Sequence, residues 1–343
     1  MDSVSQFALG AAVTVAAMGH RTAVWKAVLW GGVAGTLPDL DAFIDHGDAV
    51  SNMVLHRAAS HGLFWLTLAT PLLAWIVARV HGQGAMWRRW ALAIWLALVT
   101  HPLLDTMTVY GTQLLQPFSD YPYGVGSIFI IDPLYTLPLL VGVAIALVRR
   151  EGRGLRANAW GLGLSTGYLA WSAVAQWHVQ GVVQDSLTAQ AQVASTAAGR
   201  EAPRVLVTPT PLNTVLWRVV VMREEGYEEG FYSLLDAHRH VRLEAFDSDT
   251  SVYRALQDLP SVRRMTAFSH GFYKVHEQGD EAYITDLRMG QEPGYVFSFR
   301  VARREGDRWV PLTAAPAGWR VDLDRGLPWL WARIQGQDLP SPR

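Results

Sequence analysis

The chain has 343 residues, enough for two domains; 50% are apolar and only 17% charged, below the ordinary charged share of about 25%. A formal net charge of −1 offers no global field for nucleic acid, and no basic run outlines a groove-binding surface. There is no Cys, which excludes disulfides, thiol catalysis and thiolate metal sites, so any metal must rest on His and carboxylate ligands.

In chain order, two Gly/Ala-rich stretches come first, 4–19 and 24–37. They are short for spans, but small residues let helices approach closely in lipid. The first does not read as a cleaved signal, because Asp2 and no Lys or Arg precede it and no small-x-small site is clear. "GTLPDLDAFIDH" follows, with Asp39, Asp41, Asp45 and His46. Pro38 disfavours a helical Leu37, so the helix is expected to end there and leave Asp39 and Asp41 in an extended turn. On a continuing helix the two would diverge by about 200° and could not share an ion. "HRAASH" then supplies His56, Arg57 and His61.

Four runs have the apolarity and roughly the 20-residue length of spanning helices: 62–80, 87–104, 133–148 and 158–178. Several of the 15 Trp stand near their ends, where indoles favour the lipid–water interface. The second run ends in "HPLLD", and the spacing of four puts His101 and Asp105 on one helix face. Basic loops at 20–26, 79–89 and 149–156 alternate with 38–61, whose only base is Arg57, and with 105–132, which has none. With six crossings the positive-inside bias places every basic loop in the cytoplasm, and both chain ends and all three His/Asp clusters outside.

The composition changes after residue 178. Residues 179–203 are Ala/Gln-rich and read as a helical stalk or linker. In 204–343, β-branched and aromatic runs such as "RVLVTPTPLNTVLWRVVVM" and "YVFSFRVARREGDRWVPLT" are broken by turn residues. The expected fold is an α-helical integral membrane bundle of about six helices, four of them strong spans, over 1–178. A soluble β-rich α+β C-terminal domain follows it.

Each polar cluster alone has an ordinary reading: a capped turn, a surface His pair, a His101–Asp105 pair fixing a helix end. Together, at one membrane edge, they point to function, since ionisable groups there are costly. His and Asp without a thiol suit Zn²⁺ or Mn²⁺, and such an ion acidifies a bound water. Arg57 has two open readings, a bidentate grip on a phosphate or an ion pair with a nearby Asp. There is no HExxH, no G-x-S-x-G and no phosphate-cradling Gly loop. His20 and His81 read as interfacial and His178 as structural, while His238, His240, His270 and His276 lack ligand spacing.

"GTLPDLDAF", "HRAASHG", "HPLLDTMTVYGTQLLQPFS" and "FIIDPLYTLPLL" resemble the membrane-bound metal-dependent hydrolases of the YdjM/YbcI type (DUF457). The resemblance covers about 1–178, and "VLVTPTPLNTVLWRVV" is similar to the extracellular tail of longer members. It implicates Asp39, Asp41, His56, Arg57, His61, His101, Asp105, Tyr110 and Asp132, and implies metal-dependent hydrolysis. Two departures stand out: Ser5 and Gln6 occupy the places of a Thr-His pair near the start, and Gly62 replaces a Ser. The combined expectation is a multi-pass inner (cytoplasmic) membrane hydrolase with its site on the periplasmic face. Asp39, His56, His61, His101 and Asp105 would hold Zn²⁺ or Mn²⁺, and Asp41, Arg57 and Tyr110 would act on an ester or phosphoester of a membrane lipid or lipid-linked substrate. The competing expectation is a scaffold whose metal or ion-pair cluster staples the bundle and displays the C-terminal domain to a partner. Ion transport fits least, because the centres of 62–80, 133–148 and 158–178 lack acidic residues.

Overall fold

A computed structural model describes residues 1–149, 152–194, 202–318 and 322–342. The chain forms two compact units. One comprises Met1–Ile44, Leu55–Ser172 and Pro211–Asn213; the other comprises Asp45–Val54, Ala173–Thr210 and Thr214–Arg343. The N-terminal region is helical and the C-terminal region rich in β-sheet.

The helices of the first unit follow the apolar runs closely. They are α1 (Ser3–Met18), α2 (Val24–Thr36), α4 (Leu63–Val80), α5 (Trp87–Thr106), α6 (Pro133–Arg149) and the first half of α7 (Gly152–Ala194); α3 (Ala49–Leu55) lies mostly in the other unit. Asp2 caps α1 by accepting the backbone N–H of Val4 and Ser5 at 3.0 and 3.1 Å. The glycines of the two short helices serve close packing. A Cβ on Gly31 would stand 2.3 Å from the Gly10 carbonyl oxygen, and one on Gly35 would stand 2.5 Å from that of Gln6. Only bare backbone allows α1 and α2 to lie this close.

Among the described residues, α4 is the one helix long and apolar enough by itself to cross a membrane; α6 is apolar over 17 residues. Leu68, Leu72 and Trp75 of α4, Leu137 and Val141 of α6 and Trp160 and Leu164 of α7 all face outward. So many large apolar side chains are unusual on a surface meant for water.

The expected extended turn at Asp39 and Asp41 is instead a 3-10 helix, Leu37–Phe43. Pro38 stands in its first turn, where a missing N–H costs nothing, and the tighter winding carries the chain on where an α-helix could not continue. A second 3-10 turn, Ala59–His61, precedes α4.

In the second unit, β1 (Val205–Pro209), β2 (Leu216–Arg223), β3 (Gly226–Ser233) and β4 (Leu243–Asp247) form one antiparallel sheet in that order. A second antiparallel sheet has the order β10-β9-β6-β5, built from β5 (Tyr273–Gln278), β6 (Glu281–Asp286), β9 (Ser298–Glu305) and β10 (Arg308–Pro316). The short pair β7 (Gly290–Gln291) and β8 (Gly294–Tyr295) and the helices α8 (Thr250–Leu256), α9 (Pro260–Phe268) and α10 (Leu323–Ile334) complete it. The segment read as a stalk is helical to Ala194, with residues 195–201 outside the described residues. Val179, Val182 and Val183 share a core with Val207, Trp217, Val219 and Tyr232, so this part of α7 is packed rather than free-standing.

Candidate metal centre

Four of the polar residues converge within the first unit. Asp39 comes from the first 3-10 helix, His61 from the second, and His101 and Asp105 from the last turns of α5. One ligand atom from each lies within 4.8 Å of all the others. His61 Nε2 stands 3.0 Å from His101 Nε2, and each is 3.4 Å from Asp39 Oδ1. Asp105 Oδ2 is 3.3 Å from His61 Nε2 and 3.4 Å from His101 Nε2.

The outer faces of these rings are held by the chain. His101 Nδ1 donates to the Gly35 carbonyl at 2.6 Å, which turns its Nε2 inward as the ligand atom. His61 Nδ1 lies 2.9 Å from Ser60 Oγ and 3.5 Å from Asp41 Oδ2, and Ser60 Oγ donates to that same carboxylate. Two imidazole nitrogens and two carboxylates therefore converge, each imidazole backed by a fixed partner, as metal-ligating histidines are. Asp105 Oδ2 is buried, and its neighbours stand at ion-pair rather than hydrogen-bond geometry. A divalent cation would satisfy that oxygen and, once the His61 ring gives up its proton, both inward imidazole nitrogens, so the donor set fits Zn²⁺ or a harder ion.

Asp41 does different work from Asp39. Successive residues of a 3-10 helix turn by about 120°, so residues two apart face different ways. Asp41 accepts from the Arg57 backbone N–H (3.0 Å) and from Ser60 Oγ, and its Oδ1 is 2.8 Å from His56 Nδ1. His56 thus stands outside the four-residue group. Its ring meets His61 and Tyr110 edge-on at centroid distances of 5.9 and 5.8 Å.

Arg57 is buried in a left-handed conformation, φ +64°, which a residue with a Cβ adopts only under constraint. Its Nε is 3.3 Å from Asp105 Oδ2, its Nη1 donates to Thr108 Oγ1 at 3.4 Å, and its guanidinium lies 4.8 Å from the Tyr110 ring centroid. The ion pair with an Asp, one of its two sequence readings, is present, with Asp105 as the partner. The α-amino group of Met1 and the Gln6 amide, the latter at 2.9 Å, both donate to Asp105 Oδ1. Gln6 thereby braces a ligand rather than joining the group, and its own Oε1 is buried without a hydrogen-bond partner.

Burial alone would raise the Asp39 carboxyl, but His101 and His61 overcome this and hold it well below the usual carboxylate range. The same balance, with His56, His61 and Ser60 opposing burial, holds Asp41 well below it. For His61 burial works against the cation, yet Asp105, Asp39 and Asp41 push its pKa up to about 9.

The remaining candidates lie apart. Asp132 accepts the Leu134 N–H at 3.0 Å and the Tyr168 hydroxyl at 2.9 Å, capping α6. Asp45 accepts from Gly47 N and Asn52 Nδ2 in the turn before α3, with His46 beside it. Ser60, Gly35 and Thr108 were not singled out by the sequence. Ser60 had a signal, since it falls inside the HRAASH element, whereas a backbone carbonyl leaves no trace in residue type.

The model of a family described as YdjM inner membrane protein matches residues 1–179, and the chain belongs to that family. The uncharacterized protein YfhP of Bacillus subtilis (strain 168) is 27% identical over 144 residues. That match covers 41% of this chain and 44% of YfhP, so the chain spans less than half the length of this relative. No solved structure matches.

Proposed function

We propose that the helical unit is embedded in the inner membrane and works there as a metal-dependent hydrolase, its site on the outer face. The substrate would be an ester or phosphoester presented at the lipid interface. The observation that carries this reading is the inward convergence of His61 Nε2, His101 Nε2, Asp39 Oδ1 and Asp105 Oδ2, with Gly35, Ser60 and Asp41 holding the outer faces of both rings.

A divalent ion held by these four residues would supply Lewis acidity and a water acidified towards neutral pH. The chain's own groups provide the rest. Asp41 orients His56 through Nδ1, which leaves His56 Nε2 as the atom that would take up a proton and return it to a leaving oxygen during hydrolysis. Arg57, tied to Asp105, balances the carboxylates and packs on Tyr110. Asp39 has 20% of its side chain exposed while His61, His101 and Asp105 have none, so a substrate reaches the centre past Asp39.

The test is product release from a panel of phospholipids and lipid-linked phosphates by the metal-loaded protein and its His56→Gln variant. The expected result is turnover by the wild type and a loss of about 10²–10⁴-fold in the variant at unchanged metal content. A second reading, a structural metal that staples the bundle, draws on the complete burial of three of the four ligands. Full metal occupancy with no member of the panel hydrolysed would favour it.

A further inference from the structure

The 3-10 helix that carries Asp39 also has an apolar edge that nothing among the described residues covers. Residues three apart eclipse on a 3-10 helix, which stacks Leu37, Leu40 and Phe43 on one edge and turns Asp39 and Asp41 away from it. Leu37 packs partly against the helical core. Leu40 and Phe43 do not: they are 55% and 86% exposed, and Ile44 beside them is 56% exposed. This edge continues a stripe of α2, where Trp25, Leu29 and Val33, each four residues on, face outward at the same spacing. The stripe passes through the partly covered Leu37 to Leu40 and Phe43, and Asp39, the most exposed member of the ligand set, sits between Pro38 and Leu40 in the chain.

We propose that Leu40, Phe43 and Ile44 form a lip seated among the acyl chains of the outer leaflet, and that the substrate is a leaflet lipid. Its chains would lie along this lip while its headgroup passes Asp39. The inference rests on the membrane-embedded reading of the helical unit and deepens it by naming the edge from which substrate enters. Three large apolar side chains exposed side by side are poorly suited to water, whereas an apolar edge beside a polar entrance suits the boundary between acyl chains and headgroups.

The chain has no Cys, so single nitroxide labels can be placed in the full-length protein by Leu40→Cys, Phe43→Cys and Ile44→Cys. The protein would be reconstituted in phosphatidylcholine–phosphatidylglycerol vesicles and each label's collisions with oxygen and with a water-soluble nickel chelate measured. Leu72→Cys on α4 serves as lipid reference and Asp120→Cys as water reference. The expected result is that labels at 40 and 43 collide with oxygen as at 72 and lose the nickel collisions seen at 120. Nickel collisions equal to those at 120 would overturn the proposal, as would shielding from both reagents, which would mean that a protein covers the lip. A water-exposed label at 72 would remove its premise and overturn it too. Because the readout is depth and not turnover, a lipid-seated lip in a protein that hydrolyses no lipid would uphold the seating of the lip and overturn the hydrolase reading together with the leaflet-lipid substrate.

Discussion

Asp39 and Asp41 are the same residue type two positions apart, yet their surroundings divide them. Asp39 meets the two inward imidazole nitrogens, and Asp41 meets His56, Ser60 and the Arg57 backbone. Asp39→Asn should therefore empty the site, whereas Asp41→Asn should retain metal and lower turnover by about 10–100-fold, the usual cost of losing a partner behind the ligands. Elemental analysis beside the lipid assay separates the two effects, and equal metal loss in both variants would refute the division. The His61 pKa of about 9, against an ordinary value of 6.5, sets a pH dependence in the metal-free protein. A raised folded-state pKa stabilises fully below 6.5, and that stabilisation disappears as pH rises through about 9. Metal binding must displace this proton, so the ion should bind more tightly as pH rises towards 9. Thermal unfolding of chelator-treated protein should thus fall from pH 6.5 to 9 more steeply than that of the metal-loaded form; parallel curves would contradict the assignment.

The pairing of α1 with α2 depends on backbone meeting backbone at Gly10, Gly31 and Gly35, and Gly35 also holds His101. Gly31→Ala would place a Cβ 2.3 Å from the Gly10 oxygen. The helices would have to part, at a cost of about 1–3 kcal/mol for overpacking, and metal affinity should weaken as the Gly35 carbonyl moves. Unchanged thermal stability and metal binding in that variant would refute the coupling. In the second unit, Arg218 is fully buried and donates to Glu229 at 2.7 Å, to the Leu287 carbonyl at 2.6 Å and to the Tyr295 hydroxyl at 3.1 Å. Glu229→Gln leaves a buried cation uncompensated and should destabilise this unit by about 3–5 kcal/mol in denaturant unfolding. The helices were legible in the sequence because an apolar run between charged loops has few alternatives, and α4, α5 and α6 begin within one residue of their expected starts. The 3-10 winding at Leu37–Phe43 was not legible, since Pro38 rules out one continuation without selecting another. The same step separates what could be read of the centre. The i, i+4 spacing already placed His101 with Asp105, but the division between Asp39 and Asp41, the turn of His56 onto Asp41 and the left-handed Arg57 all depend on winding that residue types do not encode.

At the scale of the whole molecule, the alternation of basic loops with loops holding one base or none predicts that residues near 83 and 152 are cytoplasmic and those near 50, 120 and 250 outside, on the proposed membrane-embedded reading. Single-Cys labelling of intact cells or spheroplasts checks this, and outside labelling at 152 would contradict it. The hydrolase reading needs the metal, so metal content is the measurement that bears most directly on the account. The full-length protein would be purified in detergent without chelator, offered Zn²⁺ or Mn²⁺, and analysed for bound metal beside His61→Ala and His101→Ala variants. The account predicts about one ion per chain in the wild type and its loss from both variants, with membrane insertion intact. Full occupancy in both variants, or no binding by the wild type, would contradict it.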